Sequence, residues 1–157
     1  MTHIDLINIG AKWLNDKCSF VFTEIKTITD EIPDVIGFNS SGTFLIEAKT
    51  SRSDFFADKK KPFRMIPENG VGDFRFFIVP KHLIKIEELP LMWGLIEVDD
   101  KGKVSTVYNP FGKGNIYSLW LKNNKNTEAE KHIMFSALRR IYSSTNARKL
   151  IKQEIKI

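Results

Sequence analysis

Apolar positions along the chain recur with two different periods, and the switches between them mark the elements. Ile4, Ile7, Ala11 and Leu14 step by three and four residues, which predicts a helix over 3–16, weakened at Gly10. Residues 19–28 are rich in β-branched and aromatic side chains and read as a strand. Pro33 opens a second strand from Asp34 to Phe38. Asn39-Ser40-Ser41-Gly42 is a turn, and Thr43 to Thr50 is a third strand, so these two strands form a hairpin. Ser51-Arg52-Ser53-Asp54 has the form of a capping box and predicts a helix to Lys61, limited by Pro62. A loop over 66–72 follows, then a fourth strand from Asp73 to Val79, closed by Pro80. Farther along, a short helix over 81–88 and a hairpin of Trp93–Val98 with Lys103–Tyr108 are expected. The loop over 109–126 holds a candidate edge strand, Ile116–Leu121. Thr127-Glu128-Ala129-Glu130 is a second capping box, and Ile133, Met134, Ala137, Leu138, Ile141 and Tyr142 behind it form one helical stripe.

This order of elements predicts an α/β domain with a mixed central sheet flanked by helices. At 157 residues the chain has the length of a single domain over 1–157, with a core in 3–80 and a C-terminal hairpin and helix in 93–148. Hydrophobic residues make up 42% and include twelve Phe, enough to build a core, which excludes a disordered chain. No apolar run approaches the roughly 18–20 residues of a membrane span, and no basic-then-apolar leader is visible. A single cysteine, Cys18, excludes an internal disulfide and a Cys-rich zinc site, so a cytoplasmic protein is expected.

The net charge of +5 is unevenly spread. Residues 1–50 hold four basic and seven acidic side chains, whereas 126–157 hold seven and three. An acidic first third suits a carboxylate site, and a basic remainder suits a polyanion. The acidic third contains the residues of most chemical interest. Glu47 and Lys49 are two apart in a strand and therefore share a face, while Phe44, Ile46 and Ala48 suit the core on the other. The short turn brings Asp34 beside them on the neighbouring strand. Two carboxylates close together suit Mg²⁺ or Mn²⁺, and an adjacent ammonium can orient a water or offset charge on a phosphate. Phosphodiester hydrolysis needs these groups.

The pattern Pro33-Asp34 … Glu47-Ala48-Lys49 resembles the PD-(D/E)XK nuclease superfamily, and the run from Ile46 to Arg64 is similar to small phage- and prophage-borne members of it. The resemblance implies a restriction-endonuclease-like core and a metal-dependent endonuclease. It makes Asp34 and Glu47 metal ligands, Lys49 the catalytic lysine, and DNA the partner. It also implies a further acidic ligand, for which Glu24 is the first candidate and Asp5 and Asp16 weaker ones, and a homodimer as one assembly state.

Around this site Arg52, Lys59, Lys60, Arg64 and Arg75 are candidates for holding phosphates, with Arg75 expected on the same side as the site because Phe74 and Phe76 flank it. Asp54 and Asp58 read as helix-capping and solvating residues. His3, His82 and His132 lack ligand spacing and read as surface residues. Asn109-Pro110-Phe111-Gly112-Lys113-Gly114 lacks the spacing of a phosphate-binding loop and reads as a turn. The competing expectation is a nucleic-acid-binding or assembly protein that keeps this fold and cuts nothing. A third is a sheet-based interaction protein with an accidental motif.

Overall fold

The computed structural model describes residues 1–113 and 117–144. Its elements in chain order are α1 (His3–Asn15), β1 (Phe20–Thr23), β2 (Val35–Asn39), β3 (Gly42–Ala48), α2 (Arg52–Asp58), α3 (Pro62–Met65), β4 (Phe74–Pro80), β5 (Trp93–Val98), β6 (Val104–Tyr108) and α4 (Thr127–Ser143). The six strands form one mixed sheet in the order β1-β2-β3-β4-β5-β6. Strands β1 and β2, β2 and β3, and β5 and β6 pair antiparallel, whereas β3, β4 and β5 run parallel. The fold is therefore α/β, as the alternation of periods predicts.

The pleat divides the core into two layers. Phe44, Ile46 and Ala48 of β3, with Phe74, Phe76 and Ile78 of β4, pack under Leu6, Ile7 and Leu14 of α1. On the opposite face Ile36, Leu45, Phe77, Val79 and Trp93 pack with Phe55 of α2 and Ala129 and Ile133 of α4. Gly10, which weakens the helical pattern, is where α1 crosses β3: a Cβ there would lie 3.3 Å from Ile46. Gly94 is tighter still, since a Cβ would lie 2.3 Å from the Phe76 ring and 2.9 Å from the Tyr108 carbonyl oxygen. Gly94→Ala is expected to destabilise by about 1–3 kcal/mol through overpacking, read as a lowered chemical-denaturation midpoint. An unchanged midpoint would mean that Phe76 has room to move.

Several elements depart from the sequence expectations. β1 ends at Thr23, because Glu24 takes a left-handed backbone with φ of 48° and turns the chain away. Asp34 lies just outside β2. Pro62 does not merely stop a helix; it occupies the first turn of a new one, α3, where its missing N–H costs nothing. The helix expected over 81–88 reduces to a 3₁₀ turn at Ile86–Glu88. Tyr117–Leu121 forms no strand, and Ile116 lies outside the described residues. The cap of α4 is Asn126, whose side chain accepts from the Ala129 N–H. Glu130 does not close a capping box; its carboxylate accepts from the Gly72 N–H at 2.8 Å, the Thr43 hydroxyl at 2.9 Å and Lys125 at 2.7 Å. Only part of the α4 stripe is covered: Ala129, Ile133 and Ala137 are buried, whereas Met134, Leu138, Ile141 and Tyr142 are exposed.

Candidate functional site

The carboxyl end of β3 lies between an antiparallel neighbour and a parallel one. Because β2 runs the other way, its amino end meets that carboxyl end. Val35 pairs with Ile46, so Asp34, one residue earlier, comes opposite Glu47 on the same face. The Asp34 carboxylate then accepts a hydrogen bond from the Ala48 N–H at 2.8 Å. Lys49 stands two residues beyond Glu47, and its ammonium donates to Glu47 Oε2 at 3.2 Å. Asp34, Glu47 and Lys49 thus converge, and they do so within the sheet and not at an edge strand.

Sequence reasoning missed how many other charges join them. Arg64, at the end of α3, is 6% exposed. Its Nε donates to Asp58 Oδ2 at 2.8 Å, its NH2 lies 2.8 Å from Glu47 Oε1, and its NH1 binds Glu31. Its guanidinium also lies over the rings of Phe63 and Trp93. Glu31 is fully buried and accepts from the Val71 N–H at 2.9 Å. Asp58, 1% exposed, sits 3.3 Å from Lys49 Nζ and 2.9 Å from Lys61 Nζ. Asp58 is therefore a partner of Lys49 and not a solvating residue. One signal was available: it falls three residues after Phe55, on the buried side of α2. His3 is exposed, as read from the sequence, yet its Nε2 lies 3.3 Å from Asp34 Oδ2 at the first residue of α1. No sequence spacing announces that contact, which depends on where α1 crosses the sheet.

The electrostatics are those of crowded acids. Four carboxylates (Glu31, Asp34, Glu47 and Asp58) surround two buried cations, Lys49 and Arg64, with Lys61 and His3 at the rim. Burial and the Glu47 charge push the Asp34 carboxyl above its ordinary value. Burial also raises Glu31, against the pull of Arg64. Burial disfavours charge on Lys49, but Glu47, Asp58 and Asp34 together outweigh it and hold the ammonium protonated. Arg64 is raised in the same way by Glu47, Asp58 and Glu31. Asp58 moves the opposite way from Asp34: burial raises it, but Arg64 and Lys49 pull it below its usual range.

The sign for Asp34 follows from linkage. Its folded value lies above its unfolded value, so stability is lost as pH rises from the unfolded value through the folded one. Asp34→Asn is expected to raise the melting temperature near neutral pH. That gain should shrink in acid, where the wild-type carboxyl is also protonated. A gain of equal size in acid and at neutrality would show that the carboxylate charge is not its cause.

Among the described residues no three His, Cys, Asp or Glu side chains form a metal-ligating group. The oxygen donors at issue are the Asp34–Glu47 pair, and Mg²⁺ commonly takes one or two carboxylates and keeps its waters. Glu47 Oε1 is buried and has Arg64 beside it, yet receives no hydrogen bond of good geometry. That oxygen, and a cluster whose acids outnumber its buried cations, fit a divalent ion. Glu24 is not brought into the site: its side chain is exposed and only its backbone N–H engages Asp34, at the carbonyl oxygen.

The candidate phosphate-binding residues separate sharply. Arg52 forks onto Glu88 at 2.5 and 3.0 Å and reaches the Leu83 carbonyl. That pairing, with the Lys85 N–H, holds the Glu88 carboxyl at about 2. Lys59 donates to the Glu88 carbonyl at 2.7 Å. Arg75 shares the face of Leu45 and Glu47, as expected, but is 1% exposed. It donates to the carbonyls of Gly72, Pro67, Gly70 and Asn124, and burial lowers its guanidinium to about 10. Arg64 is committed to the buried acids. Lys60 alone of the five is exposed with no partner among the described residues.

No family model matches the chain, and no curated protein matches it. Among solved structures it is similar to a protein of unknown function from Silicibacter pomeroyi, with a TM-score of 0.58, 21% identity and 91% of each chain covered. That likeness concerns the fold. No described helix is long and apolar enough to cross a membrane.

Proposed function

We propose that the chain is a metal-dependent nuclease of the PD-(D/E)XK type, with a restriction-endonuclease-like core, that hydrolyses phosphodiester bonds in DNA. The observation that carries this proposal is the meeting of Asp34, Glu47 and Lys49 at the carboxyl end of a parallel strand, where open α/β sheets place their ligands. Asp34 and Glu47 would hold Mg²⁺ or Mn²⁺, which would polarise the scissile phosphate and acidify a water. Lys49 is kept protonated by its neighbours, so it serves as a donor and not as a base. It can orient the attacking water and offset negative charge as it builds on the phosphate. Asp58 holds the other side of that ammonium at 3.3 Å and limits its freedom.

A second proposal, a nucleic-acid-binding protein that does not cut, draws on one observation: both oxygens of Glu47 already have cations beside them, Arg64 and Lys49. The two are separated by incubating the protein with duplex, flap, junction and single-stranded DNA and with RNA, in Mg²⁺, Mn²⁺ or EDTA. Cleavage that depends on metal supports the nuclease. Binding without cleavage under every condition supports the second proposal.

The basic residues make a narrower contribution to DNA binding than their number suggests. Lys60→Ala is expected to lower the salt slope of duplex binding by about 0.9, the value for one phosphate contact. Arg52→Ala, which removes a side chain tied to Glu88, should leave that slope unchanged. An unchanged slope for Lys60→Ala would assign Lys60 to solvation.

A further inference from the structure

The Arg64 guanidinium touches Glu31, Glu47 and Asp58 at once, each of them buried, and no other cation among the described residues does so. Of its contacts, the one to Glu47 is of a different kind. Asp58 Oδ2 and Glu31 accept hydrogen bonds from it, whereas Glu47 Oε1 lies 2.8 Å away and accepts none. A buried carboxylate oxygen with a neighbouring charge and no hydrogen bond is only half satisfied. A divalent ion offers that oxygen a stronger partner. Arg64 retains Glu31 and Asp58, and its stacking on Phe63 and Trp93, if it gives Glu47 up.

We propose that Arg64 is a resident counter-cation for the metal site: it holds Glu47 in the metal-free protein and competes with a divalent ion for Glu47 Oε1. The proposal rests on the metal-dependent reading of the same site and adds a regulator to it. The competing side chain keeps three crowded acids, Glu31, Glu47 and Asp58, from repelling one another while no metal is bound. The same side chain weakens metal affinity, so metal loading is set by the balance between Arg64 and the ion. Arg64 is accordingly a positioning residue that acts through Glu47.

The test is a titration with MnCl₂, followed by the electron paramagnetic resonance signal of free Mn²⁺ and by calorimetry, without DNA and without reference to cleavage. Arg64→Gln removes the charge at Glu47. Lys61→Gln removes an equal charge from the same cluster, at Asp58 and away from Glu47. Competition predicts that Arg64→Gln binds Mn²⁺ tighter by about tenfold or more, and that Lys61→Gln changes affinity much less. Equal effects of the two substitutions would reduce Arg64 to bulk charge and overturn the proposal. Weaker binding by Arg64→Gln would make Arg64 a support for the metal and overturn it as well.

Arg64→Gln leaves three buried acids facing one another and is expected to melt lower than wild type without metal, and to gain more from added Mn²⁺. Should it fold under neither condition, Arg64→Lys decides. That substitution keeps the charge but loses the fork that spans three carboxylates, so competition predicts tighter Mn²⁺ binding for it too. Unchanged or weaker binding by Arg64→Lys overturns the proposal. Glu47→Gln separates the two levels. If wild type and Arg64→Gln bind Mn²⁺ alike and Glu47→Gln abolishes both, the metal site stands and the competition falls. If Glu47→Gln leaves binding intact, or no protein binds Mn²⁺, both fall together.

Discussion

Glu47→Gln is expected to reduce metal-dependent DNA cleavage by about a thousandfold or more, to the level of an EDTA control, with the fold retained. The magnitude follows from the proposed role of Glu47 as a metal ligand, because such an ion would supply several kcal/mol of charge stabilisation in the transition state and each 1.36 kcal/mol is tenfold in rate. Gln preserves the shape of the side chain and its contact with Lys49 while removing the charge that would hold the metal. Lys49→Ala is expected to fail differently. It should keep Mn²⁺ binding and lose about 10²-fold or more in single-turnover rate, the usual loss for one donor aimed at developing charge. The pair of measurements is diagnostic: Glu47→Gln loses metal and rate, Lys49→Ala loses rate alone. Single-turnover cleavage of wild-type pace by Glu47→Gln would end the nuclease proposal.

Arg75→Met is expected to lower stability by about 3–5 kcal/mol, because buried carbonyls would lose their donor and each unsatisfied group costs roughly 1–3 kcal/mol. The carbonyls of Pro67, Gly70 and Gly72 lie in the connection from α3 to β4, and that of Asn124 in the segment entering α4. One guanidinium therefore pins two loops beneath the sheet. For a domain of this size such a loss lowers the melting temperature by roughly 6–20 °C. The DNA-binding salt slope of the folded protein should not move, since the side chain it removes is fully internal. A fall in that slope with an unmoved melting temperature would return Arg75 to the phosphate-binding set.

Much of this was legible along the chain because it depends on neighbours in sequence. The β2–β3 hairpin follows from Asn39 to Gly42, where Asn39 Oδ1 accepts from the Ser41 and Gly42 N–H groups. The shared face of Glu47 and Lys49 follows from the period of a strand, and the meeting with Asp34 from the shortness of the turn. The α/β class follows from the alternation of periods. These features are local, and local spacing dictates them.

What only the tertiary structure decided is where each charge ends. Arg52, Arg64 and Arg75 look alike in sequence, as basic residues near a candidate site. The fold pairs one with Glu88, buries one among three acids and wraps carbonyls around the third. His3 meets Asp34, and Glu31 meets Arg64, across 31 and 33 positions of chain. Their physical reason is the same: a buried charge must find a partner, and the partner it finds is set by which elements the sheet brings together, not by spacing along the chain. The sequence by itself determined that Asp34, Glu47 and Lys49 would meet; the packing of α2 and α3 against the sheet determined that Arg64 and Asp58 would meet them there.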